Sequence, residues 1–299
     1  MSAYFKLLRI KDWAKNLFMF LPSFFAGEIF NLTKIELLIL GFLSFSFFAS
    51  CIYIINDYND IEDDKKHPEK SKRPFPSGAI KKTMALPLCF LLLVAGSILG
   101  YFADPSLKFL FITGIYFTLN FAYSFGLKNI AVLDVLILSS GFVLRVKGGA
   151  AITDIPASHW LVIMTFLLAL FMAVAKRRDD LLLKQSTGRE MRKSINGYSV
   201  EFLNTMSGLL GAIIIVDYFM YTIDTETLNR LGTTRLYYTG LFVIAGIMRY
   251  LQITIVDQKS GSPTKILYKD RFIQVTLLLW ALAFYFVIYI KDMHFFKKI

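Results

Sequence analysis

Apolar residues recur along the chain in nine stretches, near 16–31, 36–57, 84–102, 107–124, 130–150, 159–175, 200–222, 236–256 and 272–290. Charged residues, Pro and Gly collect between them. Most of these stretches approach the roughly 17–25 apolar residues with which a helix crosses a bilayer. The pattern therefore predicts nine transmembrane helices and an all-α integral membrane protein. Two connections stand out by length, about 58–82 after the second stretch and about 176–199 after the sixth. Both are dense in charge, and both follow a stretch that continues as a charged helical extension. No Pro/Gly/Ser-rich linker divides the chain, so a single domain over 1–299 is expected.

Composition agrees with the pattern. The 299 residues are 56% hydrophobic and include 29 Phe, with a mean hydropathy of +0.54, which excludes an ordinary soluble protein. The net charge of +11 reads first as topology. With the N-terminus in the cytoplasm, 23 of the 33 Lys and Arg fall in inside segments and 7 outside, as the positive-inside bias requires. An odd number of spans then puts the C-terminus outside. The expected location is a bacterial-type inner (plasma) membrane, with the bases near anionic lipid and no nucleic-acid partner. The basic start leads into a span and does not read as a cleavable signal. Cys51 and Cys89 lie within apolar stretches and read as reduced, packed thiols; no zinc pattern accompanies them.

The chemistry concentrates in NDYNDIEDDKKHPEKSKRPFPSG, residues 56–78. If the second helix continues past Asn56 at about 100° per residue, Asp57, Asp60 and Asp64 fall on one stripe with Asn56 at its edge. Adjacent like charges there cost about a few tenths of a kcal/mol per pair, and more near lipid. A divalent cation removes that cost. Mg²⁺, or Mn²⁺ in its place, takes a few carboxylates and completes its shell with water and substrate phosphate. The basic half supplies Lys70, Lys72 and Arg73, placed for phosphate oxygens. A solvated loop with internal ion pairs is the alternative; the position of the stripe at a membrane-helix end favours a metal–diphosphate site.

This segment resembles the first aspartate-rich motif of the UbiA superfamily of intramembrane prenyltransferases, N-D-x-x-D-x-x-x-D. Its H-P-x-K-x-x-R-P continuation is similar to the decaprenyl-phosphate phosphoribosyltransferase branch. RIKDWAKNLFMFLP, NFAYSFGLKNIAVLDV, GFVLRVKGGA, AKRRDDL and SPTKILYKDRFIQ extend the likeness over nearly the whole chain. The resemblance implies a UbiA-like bundle with a polar cavity facing the cytoplasm. It also implies Mg²⁺-dependent transfer of a 5-phosphoribosyl group from 5-phosphoribosyl 1-diphosphate (PRPP) to a polyprenyl phosphate.

After the sixth span most of the superfamily carries a second aspartate-rich motif, whereas this chain has AKRRDDLLLKQSTGREMRKSINGY. Lys176 and Asp180 are one turn apart with Arg177 beside them, a placement suited to substrates with more phosphate. The expected metal donors are Asn56, Asp57, Asp60 and Asp64, and Asp60, Asp64 and Asp180 are the expected catalytic acids. Lys15, Lys70, Arg73, Tyr123, Lys128, Asp134, Arg145, Lys176, Arg177 and Arg192 are the expected substrate contacts. Asp134 and Arg145 lie about three turns apart on one side of the fifth span. Arg249 reads as a residue snorkelling toward the inner face. Two other readings remain: a prenyltransferase moving a prenyl group from its diphosphate to an aromatic or lipid acceptor, and a transporter. The missing second aspartate pair speaks against the first, and the unexplained aspartate stripe against the second.

Overall fold

In the computed structural model the described residues are 3–65, 70–188, 193–258, 266 and 269–289. Among them regular structure is helical throughout, with no strand. The chain forms two compact units, Met1–Ser158 and His159–Ile299. Six helices are long and apolar enough to cross a membrane: Leu32–Asn59, Lys82–Ala103, Leu133–Thr153, His159–Thr187, Val200–Ile223 and Leu236–Val256. Two further expected spans form helices over Lys108–Ser124 and Arg271–Tyr289.

The first unit begins with α1 (Ala3–Leu7), a 3₁₀ helix over Ile10–Phe20 and α2 (Leu21–Phe25). The first apolar stretch is thus not the regular span expected of it. Eleven residues of 3₁₀ helix are unusual, and the side chains explain the winding. At about three residues per turn, Trp13, Asn16 and Met19 line up on one edge. Trp13 donates to Ser50 at 3.0 Å and Asn16 to Ser46 at 2.8 Å, while Met19 is fully buried. Asp12 and Lys15, also three apart, pair at 2.6 Å. The later helix α7 (Leu133–Thr153) can approach this edge only because Gly149 has no side chain, since a Cβ there would lie 1.8 Å from the Met19 carbonyl oxygen.

Behind this strap stand α3 (Leu32–Asn59), α5 (Ala85–Ala103), α6 (Lys108–Ser124) and α7 (Leu133–Thr153), with the short α4 (Ile61–Lys65) after α3. One core joins Leu7, Cys51, Ile54, Ile61, Phe75, Ile80 and Cys89; another joins Met19, Leu38, Phe45, Phe109, Tyr116 and Ile152. Both cysteines are free and buried.

The second unit is built on α8 (His159–Thr187) and α9 (Val200–Ile223), followed by α10 (Thr225–Leu231), α11 (Gly240–Leu251) and α12 (Arg271–Tyr289). Helix α8 is continuous through the KRRDD segment, as expected of a charged extension. Phe171, Ala175, Leu203, Leu210, Ile214 and Tyr250 form its core.

Candidate active site

The polar end of α3 carries the first site. The helix closes at Asn59, Asp60 has φ −92° and ψ 7°, and α4 resumes one residue later. The Asp64 amide still donates to the Asp60 carbonyl at 2.8 Å, so the stripe is nearly continuous across the break. Carboxylates at the C-terminal end of a helix face its negative pole and need cations. Three bases supply them from elsewhere in the unit.

Lys128 Nζ lies 2.6 Å from Asp60 Oδ1 and 3.2 Å from Asn56 Oδ1, and Asn56 donates to Asp60 Oδ2 at 3.1 Å. Arg73 Nη1 reaches Asp57 Oδ1 at 3.1 Å and Asp64 Oδ2 at 2.6 Å. Arg9 Nη2 lies 2.5 Å from the same Asp57 oxygen. The supporting loops are well braced. Phe75 and Ile80 are buried beside Arg73, and the loop closes by Ser77 N to Arg73 O at 3.0 Å and Ile80 N to Pro74 O at 3.1 Å. Lys128 sits on a 3₁₀ turn, Leu127–Asn129, entered through Gly126 at φ 149°, a conformation that L side chains avoid.

Ion pairing of the kind a solvated loop would make is therefore present. Two features go beyond such a loop: Asp57 and Asp64 are buried, and two of the three bases come from 48 and 68 residues away in sequence. Among the described residues no three His, Cys, Asp or Glu side chains converge as a metal site. Asn56, Asp60 and Asp64 nonetheless present hard oxygens across the α3–α4 break, a donor chemistry that suits Mg²⁺. Asp57, expected among the metal donors, is instead held between two guanidinium groups.

In the second unit Arg177 and Arg178 are both buried on α8. Arg177 pairs with Asp180 at 2.9 Å, and Arg178 donates from Nε to Asn204 Oδ1 on α9 at 2.6 Å. Lys176 on the same turn is exposed. Near the start of α12, Arg249 pairs with Asp270 at 2.7 Å. Arg249, expected to snorkel toward the inner face, makes this ion pair. The guanidinium hydrogen bond holds the Asp270 carboxyl below its ordinary range.

The family model of the UbiA prenyltransferase family matches residues 17–273. The chain belongs to that family. It is 32% identical over 289 residues to the decaprenyl-phosphate phosphoribosyltransferase of Mycolicibacterium smegmatis, covering 93% of this chain and 90% of that protein. The Mycobacterium tuberculosis H37Rv protein of the same name is 29% identical over 279 residues, covering 92% and 90%. Among solved structures, a UbiA homolog from Archaeoglobus fulgidus bound to DMAPP and Mg²⁺ superimposes with a TM-score of 0.71 at 22% identity, covering 96% of this chain and 99% of that one. The fold is UbiA-like, and the protein is a multi-pass membrane protein.

Within this UbiA chain the expected site residues separate. Asn56, Asp57, Asp60, Asp64, Arg73 and Lys128 come together at the end of α3. Arg145 is placed differently. Its residue surface is 4% exposed, and its nitrogens donate to Asn16 Oδ1 at 2.8 Å, the Gly141 carbonyl at 2.7 Å and the Tyr116 hydroxyl at 3.2 Å. The rings of Phe45, Tyr116 and Phe142 lie 5.0, 4.8 and 5.4 Å away. Each of its three nitrogens is engaged inside the first unit, and the group ties the 3₁₀ helix to α6 and α7, where a phosphate contact was expected. Asp134 is buried in the first turn of α7, Tyr123 is half-buried near the end of α6, and Lys15 keeps an exposed side on Asp12. The Lys70 side chain and all of Arg192 lie outside the described residues. Sequence reasoning missed Arg9 and Arg178. The first stood in plain view in RIKDWAKN, three residues before Asp12.

Proposed function

We propose that the protein transfers a 5-phosphoribosyl group from PRPP to a polyprenyl phosphate, releasing pyrophosphate. The observation that carries this reading is the likeness, over nine-tenths of the chain, to proteins named decaprenyl-phosphate phosphoribosyltransferase. The basic character of Lys176, Arg177 and Arg178, where the superfamily resemblance leads one to expect acids, supports it. Such a site suits a donor and an acceptor that both bring phosphate.

In this reading Asn56, Asp60 and Asp64 would hold Mg²⁺, or Mn²⁺, which would supply positive charge for a diphosphate. Arg73 and Lys128 neutralise phosphate oxygens as charge builds on the leaving pyrophosphate. Lys176 and Arg177 take the lipid phosphate or the sugar 5-phosphate, with Asp180 orienting Arg177. The bond from ribose C1 to the diphosphate oxygen breaks, its electron pair leaving with pyrophosphate. A lipid phosphate oxygen forms the new bond at C1. That oxygen is already anionic, so no strong general base is required. Rate comes from positioning and from stabilising an oxocarbenium-like sugar beside its leaving group. In-line attack on an α-configured donor gives the β product.

The same reading places the protein in a bacterial inner membrane as one nine-span domain, its N-terminus and charged helix ends at the cytoplasmic face near anionic lipid. The test is incubation of the purified protein with Mg²⁺, labelled PRPP and polyprenyl phosphate. Labelled lipid is the expected product. No labelled lipid, together with turnover of a prenyl diphosphate and an aromatic acid, overturns the assignment in favour of prenyl transfer.

A further inference from the structure

The N-terminal segment lies along one stripe of α3. Ser50, Tyr53 and Asp57 are three and four residues apart, so they share a face. Ser50 fastens the segment twice: its hydroxyl donates to the Leu8 carbonyl at 2.8 Å, and Trp13 Nε1 donates to Ser50 Oγ at 3.0 Å. These bonds pin the backbone on both sides of Arg9. Arg9 itself has φ 51°, left-handed backbone that a non-glycine residue adopts only when its surroundings impose it. The imposed conformation sends the side chain down the stripe. Its guanidinium sits 4.9 Å over the Tyr53 ring and ends 2.5 Å from Asp57 Oδ1.

Arg73 meets that same oxygen from the other side at 3.1 Å. Two guanidinium groups thus converge on one carboxylate oxygen. The Asp57 side chain is 2% exposed, whereas Arg9 keeps 24% and Arg73 27%. The acid is enclosed and the two cations face outward. Each guanidinium carries five N–H donors in a fixed fork; the contacts to Asp57, and from Arg73 also to Asp64, use one nitrogen of each.

We propose that Arg9 is a substrate-contacting residue: Arg9 and Arg73, tied together by Asp57, form a two-guanidinium clamp for the donor's diphosphate. Asp57 is the tie of this clamp and not a metal donor. Planar forks match pairs of phosphate oxygens, and a shared carboxylate fixes their spacing before the anion arrives. The clamp rests on the proposed use of a diphosphate donor, but it does not depend on which group that diphosphate carries.

Inorganic pyrophosphate, the leaving group common to phosphoribosyl and prenyl donors, is the probe. Its affinity is measured by equilibrium binding to the full-length protein at saturating Mg²⁺, and Mn²⁺ affinity by electron paramagnetic resonance at saturating pyrophosphate. Arg9→Gln weakens pyrophosphate about 10- to 100-fold, the loss of one charge-assisted contact, and leaves the Mn²⁺ midpoint and melting temperature in place. Arg9→Lys keeps the charge without the fork and falls between. Asp57→Asn weakens pyrophosphate and also leaves the Mn²⁺ midpoint unchanged. Unaltered pyrophosphate affinity in Arg9→Gln and Arg9→Lys, or a tenfold loss of Mn²⁺ affinity in Asp57→Asn, overturns the clamp. Pyrophosphate binding that depends on Arg9 in a protein that makes no phosphoribosyl lipid overturns the proposed donor and leaves the clamp standing.

Discussion

Replacing Arg145 by Met separates a structural from a substrate-binding role for the most buried base among the described residues of the α3–α7 bundle. Met keeps much of the side-chain volume, so the cavity term is small. The guanidinium is lost, and with it the donors to Asn16 Oδ1 and the Tyr116 hydroxyl. The Gly141 carbonyl sits in the middle of a helix and keeps its backbone partner. Two buried polar atoms left without a partner cost about 1–3 kcal/mol each. The rings around the cation contribute about another 1 kcal/mol, and the charge itself no longer has to be buried, which offsets part of the loss. A net destabilisation of about 3 kcal/mol results, or roughly 6–12 °C in a cooperative unit of this size. The assay is thermal melting in detergent, read alongside protease sensitivity of the 3₁₀ helix that Asn16 anchors, and the KM for PRPP in the protein that remains folded. Melting should fall and cleavage near residues 10–20 should rise, with KM little changed. A variant that melts like the unsubstituted protein but shows a tenfold higher KM would refute the structural reading and return Arg145 to the substrate.

Other outcomes rest on the same geometry. Asp60→Ala and Asp64→Ala should abolish turnover while each variant still inserts and purifies; full activity in either removes that residue from the metal set. Stripping divalent cations with a chelator should stop transfer, and Mg²⁺ or Mn²⁺ should restore it; transfer that survives chelation contradicts the metal requirement. Gly149→Ala drives a Cβ to 1.8 Å from the Met19 carbonyl oxygen, so the strap must move off α7. A melting temperature within a degree of the unsubstituted protein would show that the close approach is absent. Asp270 is held below the usual carboxylate range by Arg249, so its contribution is present above the ordinary carboxyl pKa of about 4 and lost as pH falls through the folded value. Asp270→Asn should therefore lower stability at pH 7 by about 1 kcal/mol and shrink the difference between pH 7 and acid; an unchanged difference refutes the linkage.

The helices were legible because lipid demands long apolar runs, and the sequence supplies them with little ambiguity. Leu32–Asn59 and His159–Thr187 coincide with the second and sixth stretches, charged extensions included. The first stretch misled for a local reason. Hydropathy registers Leu17, Phe18, Met19 and Phe20 as span-forming, but it is blind to the side-chain bonds at positions 12–15, 13–50 and 16–46 that favour a three-residue turn. Pro22 near the start of α2 then separates the 3₁₀ segment from the short α-helix after it.

The site was legible in its acids and obscure in its partners, and the reason is range. Asp57, Asp60 and Asp64 declare themselves through spacing along one nearly continuous helical stripe, where a periodicity of 3.6 decides who neighbours whom. Arg9 and Lys128 reach the same acids across 48 and 68 residues, where no periodicity operates and each base looks like one more member of a positive-inside count. Arg145 shows the converse case. Its depth in a span correctly marked it as costly, yet depth does not reveal whether a charge waits for a ligand or is consumed by the fold. With three nitrogens occupied and 4% exposure Arg145 is engaged by the fold, whereas Arg9 and Arg73 keep 24% and 27% of their side-chain surface exposed at the end of α3.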